Sequence, residues 1–449
     1  MNEKFTELLK LKNYHELKQL LANETPQDLA AMFSDVEEEQ LAVLFRILPK
    51  EIAAETFVEM DSDVQELLIR SFSDIKLKEI FDSMFLDDTV DIIEEMPANV
   101  VSRILRTADI KTRSVINELL NYPEDSAGSI MTIEYVDLRS EMTVEEAIKR
   151  IRRTGVDKET IYTCYVTDDF RHLLGLCSVK DLLTADDDRL ICDIMDTHVI
   201  FVDTIEDKEL VANEMAKYGF IAMPVVDKEK RLLGIVTVDD AIDVMQAEVT
   251  EDIEKMAAIT PSDKPYLKAS VFETWLKRIP WLLLLMVSAT FTGQIISSFE
   301  SALAAQAALM AFIPMLMDTG GNAGSQSSVT IIRGLALNEI HIRDIFKILW
   351  KEIRVSLLCG LTLATANFVK ILLVDNLILH NDVSIMVALV VCITLVATVI
   401  FAKIVGALLP LLAKQIGFDP AVMASPFITT IVDALSLIVY FNVAQLLIL

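Results

Sequence analysis

The sequence predicts a multidomain membrane protein in four parts: an all-α superhelical N-terminal domain, an α/β tandem repeat, a connecting helix and a five-helix transmembrane domain. Three observations predict it. Acidic charge and apolar character are segregated along the chain. Five apolar runs of bilayer length crowd the C-terminal part. A short α/β pattern occurs twice between the acidic start and the apolar end.

The chain of 449 residues carries 40 Lys+Arg against 67 Asp+Glu, a formal charge of −27, yet 53% of it is hydrophobic. Those properties conflict in one ordinary soluble domain. From Ala269 to Leu449 there are 10 acidic and 10 basic residues, so the first 268 hold the other 57 acidic and 30 basic groups. The whole charge excess lies in the first part and the apolar excess in the second. This excludes a single globular domain, a disordered acidic protein and a nucleic-acid binder working through a basic face. Five cysteines without CxxC spacing exclude a disulfide framework or a thiolate metal site. Met1-Asn-Glu-Lys-Phe5 has no apolar signal region, so the acidic part is expected in the cytoplasm.

Residues 1–129 read as nearly all helix. Short amphipathic stretches are punctuated by Pro26, Pro49, Pro97 and Pro123, in units of about 24 residues that suggest stacked helix pairs. Asp87, Asp88, Asp91, Glu94 and Glu95 form a local acidic face. Taken alone, such a run reads as a solvated helix surface.

Residues 130–243 contain the repeat. Leu173-Leu-Gly-Leu-Cys-Ser-Val-Lys-Asp181 matches Leu232-Leu-Gly-Ile-Val-Thr-Val-Asp-Asp240, and Ile130-Met131 matches Ile194-Met195. The expected order is helix, strand, turn, strand, helix, twice. A hydroxyl and an Asp stand three residues apart in each copy, Ser178 with Asp181 and Thr237 with Asp240. The pattern resembles a tandem pair of CBS modules, which generally dimerise and often sense ligands. In relatives that bind adenosine nucleotides these Ser/Thr-x-x-Asp positions meet the ribose, so ATP is a possible ligand. The other reading makes both Asp residues helix N-terminal caps.

Residues 244–268 hold an acidic helical connector with Glu248, Glu251, Asp252 and Glu254, broken by Thr260-Pro-Ser-Asp-Lys-Pro265. Residues 269–449 contain the expected spans, about Ile279–Phe299, Leu303–Ile332, Val355–Val374, Ser384–Leu412 and Val422–Leu449. Each reaches the ~20 residues that a bilayer core needs. The second is the weakest, interrupted by Asp318, Gly320, Gly321, Asn322, Gly324, Ser325 and Gln326. Its small residues either pack helices closely or free carbonyls to line a hydrated cavity. The loop after span two carries Arg333, Arg343, Lys347, Lys351 and Arg354, whereas the loop after span three holds Asp375, His380 and Asp382 with no Lys or Arg. The positive-inside rule then puts the N-terminal part in the cytoplasm and the C-terminus outside. An odd number of spans suits two chains around a shared path.

Ionisable groups inside spans are expensive and read as functional. Asp433 is the sharpest case, with Thr429, Thr430 and Ser436 about one turn away on either side. A polar stripe of this kind suits a hydrated cation path. An ion pair of Asp433 with Lys403 or Lys370 is the structural alternative. The five His are scattered, so the ligand inventory is oxygen only. Oxygen ligands in small number favour Mg²⁺, with Mn²⁺ or Co²⁺ possible.

Three strings carry a wider resemblance: Tyr122-Pro-Glu-Asp-Ser-Ala-Gly-Ser-Ile-Met-Thr132, Gly320-Gly-Asn-Ala-Gly-Ser-Gln326 with Arg333-Gly-Leu-Ala336, and Pro426 to Tyr440. With the domain order, they make nearly the whole chain resemble the MgtE magnesium transporter/channel family. Ser325 and Ser425 stand where relatives often have Thr and Asn. The resemblance implies a homodimer in the cell (inner) membrane with a pore on its axis and Asp433 as the pore carboxylate. It implies a pore lining that includes Asn322, Gly324, Thr429 and Thr430. It also implies a plug-like connecting helix and closure by cytosolic Mg²⁺ bound among Asp88, Asp91, Asp227, Glu248, Glu251, Asp252 and Asp419. No catalytic residues are expected. A nucleotide-regulated transporter of another solute, such as Mn²⁺ or Co²⁺, is the alternative. A membrane-embedded enzyme or a non-transporting sensor fits the polar stripe less well.

Overall fold

The computed structural model describes residues 2–34, 36–262, 264, 266–267, 269–300, 306–423 and 425–448. The chain divides into two compact units, Met1–Met245 and Gln246–Leu449.

The first unit opens with ten helices among the described residues, α1 (Asn2–Lys10) to α10 (Ile110–Leu119), with α8 at Leu86–Glu95. From the second onward the helices begin at 14, 26, 38, 50, 62, 74, 86, 98 and 110, one every 12 residues. The 24-residue unit is therefore a pair of short helices. The period also appears in the core: Leu21, Phe33, Phe45, Phe57, Ile69 and Ile93 are all buried at that spacing. Phe33, Phe45 and Phe57 form a ladder with ring centroids 5.8 and 6.3 Å apart, and Phe81 continues it at 6.1 Å from Phe57. Helices of 8–10 residues are marginal alone, so stacking of successive turns of the array supplies their stability. Starts are marked by Thr25, Ser73 and Asp109 caps.

Two three-stranded sheets follow. The first contains β1 (Val136–Arg139), β2 (Thr163–Thr167) and β3 (Leu173–Ser178), with α11 (Val144–Thr154), α12 (Val179–Thr184) and α13 (Ile191–Ile194). The second contains β4 (Val202–Asp203), β5 (Ala222–Val226) and β6 (Leu232–Thr237), with α14 (Lys208–Tyr218) and α15 (Val238–Met256). In each sheet the first pairing is parallel and the second antiparallel. β1 and β4 extend the expected order, being too short to show as alternation. The segment after each Met of the repeat explains its glycines: a Cβ on Gly175 would meet the Asp196 carbonyl at 2.8 Å, and one on Gly234 the Thr132 carbonyl at 2.6 Å. The Met195 and Met131 sulfurs would each lie 2.9 Å from the same Cβ positions. Thr132 bridges to Ile235 and Asp196 to Leu176, so the segment before the first module adds to the second module's sheet. The core of the helical array continues through Ala127 and Met131 into Val211, Met223, Val225 and Val236 of the second module.

α15 runs without interruption from Val238 to Met256, so the connector does not begin as a separate helix at 244. Parts of the expected break at 260–265, the expected start of span two at Leu303 and the last residue of span five lie outside the described residues. The second unit contains α16 (Val271–Ser298), α17 (Ile313–Ala336), α18 (Ile345–Lys370), α19 (Ile385–Gln415) and α20 (Ser425–Leu447). Among the described residues four helices are long and apolar enough to cross a membrane, at Val271–Ser298, Ile342–Ile378, Ile385–Gln415 and Pro420–Leu447. α17 has the length, 24 residues, but its polar string keeps it out of that class. The third span is longer than expected. A π-helical turn carries α18 on to Ile378, which takes Asp375 out of the loop and buries it beside Lys370 at 3.0 Å. Likewise the connection after α17 is short, because Arg333 is in the last turn of α17 while Lys347, Lys351 and Arg354 lie within α18.

Candidate functional site

α8 points its acidic first turns at the first CBS-like module. Glu134 accepts a hydrogen bond from the Leu86 amide at 3.1 Å and so helps cap the helix. Glu159 is drawn to the same place by its amide, which donates to the Glu134 carbonyl at 2.9 Å. One carboxylate oxygen from each of Asp87, Glu134 and Glu159 lies within 4.8 Å of the others. Asp87 Oδ1 and Glu159 Oε2 are buried without a hydrogen-bond partner. Asp88, Asp91, Asp239 and Asp240 border this group closely enough to act on it electrostatically.

Burial and then mutual repulsion push these carboxyls up from their usual range. Asp88 and Glu159 rise to about 8, Asp91 and Asp240 to about 7, and Asp87 to about 6. Burial is the largest cause for each, and the charged neighbours that act on them are other carboxylates. Partly desolvated carboxylates converging from three chain segments, with Asp87 Oδ1 and Glu159 Oε2 unpartnered, are costly unless protonated or bridged by a cation. A hard divalent ion that keeps some of its waters fits the donor set. The run at 87–95 is thus not simply a solvated surface. Asp91, Glu94 and Glu95 keep exposed edges, but Asp87 and Asp88 are half-buried against the module.

The other expected sensor residues are placed elsewhere. Asp227 closes the turn between β5 and β6, with Oδ1 accepting from the Glu229 and Arg231 amides at 2.8 and 2.9 Å. In the second unit Lys255 stands between Glu251 and Asp419, paired to both, with Asp419 Oδ2 at 2.7 Å. Asp252 is raised by burial and then by Asp419. Here an ammonium already stands between the carboxylates. Glu248 precedes these residues on α15.

Both Ser/Thr-x-x-Asp pairs are built as helix starts. Ser178 and Asp181 form a reciprocal capping box at α12. Thr237 Oγ1 donates to Asp240 Oδ2 at 2.5 Å at the start of α15, while Asp240 also faces Asp87 and Asp91.

In the second unit α17 lies with its glycine face on α19 and α20. A Cβ on Gly320 would meet Thr398, Val432 and the Ser436 hydroxyl at 2.7, 2.9 and 3.0 Å. One on Gly324 would meet Ile428 at 2.6 Å, and one on Gly406 the Gly324 carbonyl at 2.2 Å. The string 320–326 is unbroken helix, so its small residues serve close packing and its carbonyls are not freed. Gly324 is buried against these neighbours, whereas Asn322 is exposed on the adjacent face. The hydroxyls of the α20 stripe bond backward along their own helix: Thr429 and Thr430 to the Pro426 carbonyl at 2.9 and 3.0 Å, Ser436 to that of Val432 at 2.6 Å. Ser436 is buried at the helix contact.

Asp433 is half-buried and pairs with neither expected lysine. Lys370 is taken by Asp375. Lys403 is buried beside Glu352 at 4.0 Å and the Ser327 hydroxyl at 3.3 Å, and Ser327 in turn donates to Glu352 at 2.6 Å. The charged neighbour of Asp433 is Asp318 on α17. Asp318 also borders a cleft of about 540 Å³ with Asn322, Gln326, Thr362 and Lys403.

Asp87, Glu134, Glu159, Asp239 and Asp318 are not among the expected site residues, and Asp240 reads from sequence as a nucleotide contact or a helix cap. Asp318 had a signal, a carboxylate inside a span-length segment. Glu134 and Glu159 are single acids in loops, visible only once the strands around them are folded.

Comparison with known proteins supports the domain order. Residues 24–125 match the family model described as the MgtE intracellular N domain, 127–188 and 191–247 match the CBS domain, and 313–443 match MgtE, described as a divalent cation transporter. The magnesium transporter MgtE of Thermus thermophilus is 40% identical over 435 residues, 96% of this chain and 95% of that one. Its namesake in Bacillus subtilis is 32% identical over 93% of this chain and 91% of that one. A crystal structure of the cytosolic domain of the Mg²⁺ channel MgtE in complex with ATP is 38% identical, with a TM-score of 0.52. It covers 54% of this chain and 100% of that one. A structure of the soluble part of a magnesium transporter has a TM-score of 0.51 at 31% identity, covering 55% of this chain and 97% of that one. The chain belongs to the MgtE family of divalent cation transporters.

Proposed function

We propose that the protein is a homodimeric Mg²⁺ channel or transporter of the cell membrane, admitting Mg²⁺ to the cytoplasm and closed by cytosolic Mg²⁺. The observation that carries the transport reading is Asp433, a carboxylate on an apolar helix without a cationic partner among the described residues, with Asp318 as a charged neighbour. Two carboxylates close enough in a membrane for their charges to interact attract a hydrated divalent ion more strongly than either alone. Asn322, Thr429 and Thr430 line the approach, and Gly324 lets the bearing helices meet. The N-terminal domains face the cytoplasm and the C-terminus faces outward.

Closure draws on the cluster around α8. Without a cation its carboxylates repel; a bridging ion favours the arrangement that brings them together, and shifts the equilibrium by its differential affinity for that state. Asp88, Asp91 and Asp240 serve this site with Asp87, Glu134 and Glu159. Glu248, Glu251, Asp252 and Asp419 form a second station around Lys255, and Asp227 is the most peripheral of the set. Domains 1–129, 130–243, 244–268 and 269–449 divide these roles. ATP bound at Ser178/Asp181 or Thr237/Asp240 would have to open a capping hydrogen bond, and Asp240 cannot serve nucleotide and metal at once.

The test is Mg²⁺ flux into liposomes holding the purified protein, wild type against Asp433→Ala. Loss of flux with unchanged assembly is expected; normal flux overturns the pore assignment. Flux of Mn²⁺ or Co²⁺ in preference to Mg²⁺ would favour the alternative cation.

A further inference from the structure

One face of α18 carries two adjoining bands. Arg343 just before the helix and Lys347, Lys351 and Arg354 on it follow each other at intervals of three or four residues, and all are exposed. The same face continues into Leu358 and Leu361, 70% and 58% exposed. At ~1.5 Å per residue the second band begins within about one turn of the first. Within the basic band stands Trp350, 61% exposed, with the Arg354 guanidinium 5.7 Å from its ring centre. Lys347 pairs with Asp344 at 2.8 Å, but Lys351 and Arg354 have no ion pair among the described residues. Glu352 does not neutralise them, because it is turned inward to Ser327 and Lys403.

We propose that this face of α18 is a binding site for an anionic phospholipid, its headgroup phosphate held by Lys347, Lys351 and Arg354 and its acyl chains lying along Leu358 and Leu361. The two bands select the occupant. It must carry negative charge immediately beside an apolar body, which is the order of groups in a phospholipid at the membrane surface, where an amphipathic ring such as Trp350 also sits. Free phosphate complements only the first band. An acidic protein segment complements only the basic residues and leaves the leucines uncovered. The inference rests on the reading that α18 crosses the membrane with this end in the cytoplasm. It is separable from the transport reading, because lipid retention and Mg²⁺ flux are independent readouts.

The experiment is native mass spectrometry of the full-length protein purified in detergent and offered equal amounts of phosphatidylglycerol and phosphatidylcholine. Wild type is compared with K347Q/K351Q/R354Q and with K10Q/K50Q/K111Q, which removes the same charge from the N-terminal helices. Wild type and the N-terminal variant should retain phosphatidylglycerol preferentially. In K347Q/K351Q/R354Q the preference should fall, by roughly fivefold for each basic residue that engages the phosphate. Equal retention of the two lipids by wild type, or an unchanged preference in K347Q/K351Q/R354Q, overturns the proposal. So does displacement of the lipid by inorganic phosphate. A change in oligomeric mass without change in lipid retention would assign the face to a second copy of the chain instead.

Discussion

Around α8, Asp87, Asp88, Asp91, Glu134, Glu159 and Asp240 converge and act on one another as like charges. In the second unit, buried and half-buried charge is compensated within the chain: Lys403 by Glu352, Asp375 by Lys370, Lys255 by Glu251 and Asp419. Asp433, with Asp318 as its charged neighbour, departs from that pattern. Where a fold needs only stability, a buried charge is matched by a partner of opposite sign. Where carboxylates are gathered against one another, burial and repulsion raise the cost of their charge. The comparison marks two places, one in each unit, where carboxylates act on one another as like charges, and these are the places at which the proposed function puts the cation.

The strongest way to break it is at Asp433. Asp433→Ala should abolish Mg²⁺-dependent flux, and Asp318→Asn should reduce it with assembly preserved. Full activity of Asp318→Asn would show that the two carboxylates do not act together. Next comes the compensated charge. Glu352→Gln strands Lys403 in the bundle and should cost about 3–5 kcal/mol in thermal unfolding, whereas replacing both partners with apolar residues of similar volume should cost much less. Equal losses would mean that packing, not charge, sets the stability there.

A third test uses pH. The raised carboxyls hold protons in the folded state that the unfolded chain has released above its ordinary range near 4. Their contribution to stability is complete below that range and is lost as pH rises through about 6 to about 8. The metal-free protein should melt lower at about pH 8.5 than at about pH 5.5, and Mg²⁺ should remove most of the difference. A melting temperature that is flat across this interval, or a gap that Mg²⁺ leaves intact, would count against the cluster. The smallest effect is local. Ser178→Ala removes one half of a capping box and should cost about 1 kcal/mol. If ATP instead binds there, the same variant should weaken nucleotide binding, read by calorimetry.

Much of this was legible in the sequence because periodicity and composition are local. The helical array, the duplicated Leu-Leu-Gly strand and the apolar runs each repeat within a few residues of themselves. The fate of Gly320 to Gln326 was less legible: small residues fit both a packed helix and an opened one, and only neighbours such as Ile428 and Thr398 decide between them. Asp433 was legible since a carboxylate in an apolar run is conspicuous. Glu134 and Glu159 were not, because a single acid in a loop has no pattern. What gathers them is a hydrogen bond to Leu86, 48 residues from Glu134.

The measurement that tests the central claim most directly is Mg²⁺ flux through the reconstituted full-length protein as a function of Mg²⁺ on the cytoplasmic side, for wild type and for Asp88→Asn/Glu159→Gln. Wild-type flux should fall as that Mg²⁺ rises, and the variant should require at least roughly tenfold more Mg²⁺ for the same inhibition, the equivalent of about 1.4 kcal/mol of lost coupling. Superimposable curves would contradict the claim that the carboxylates around α8 hold the regulatory ion.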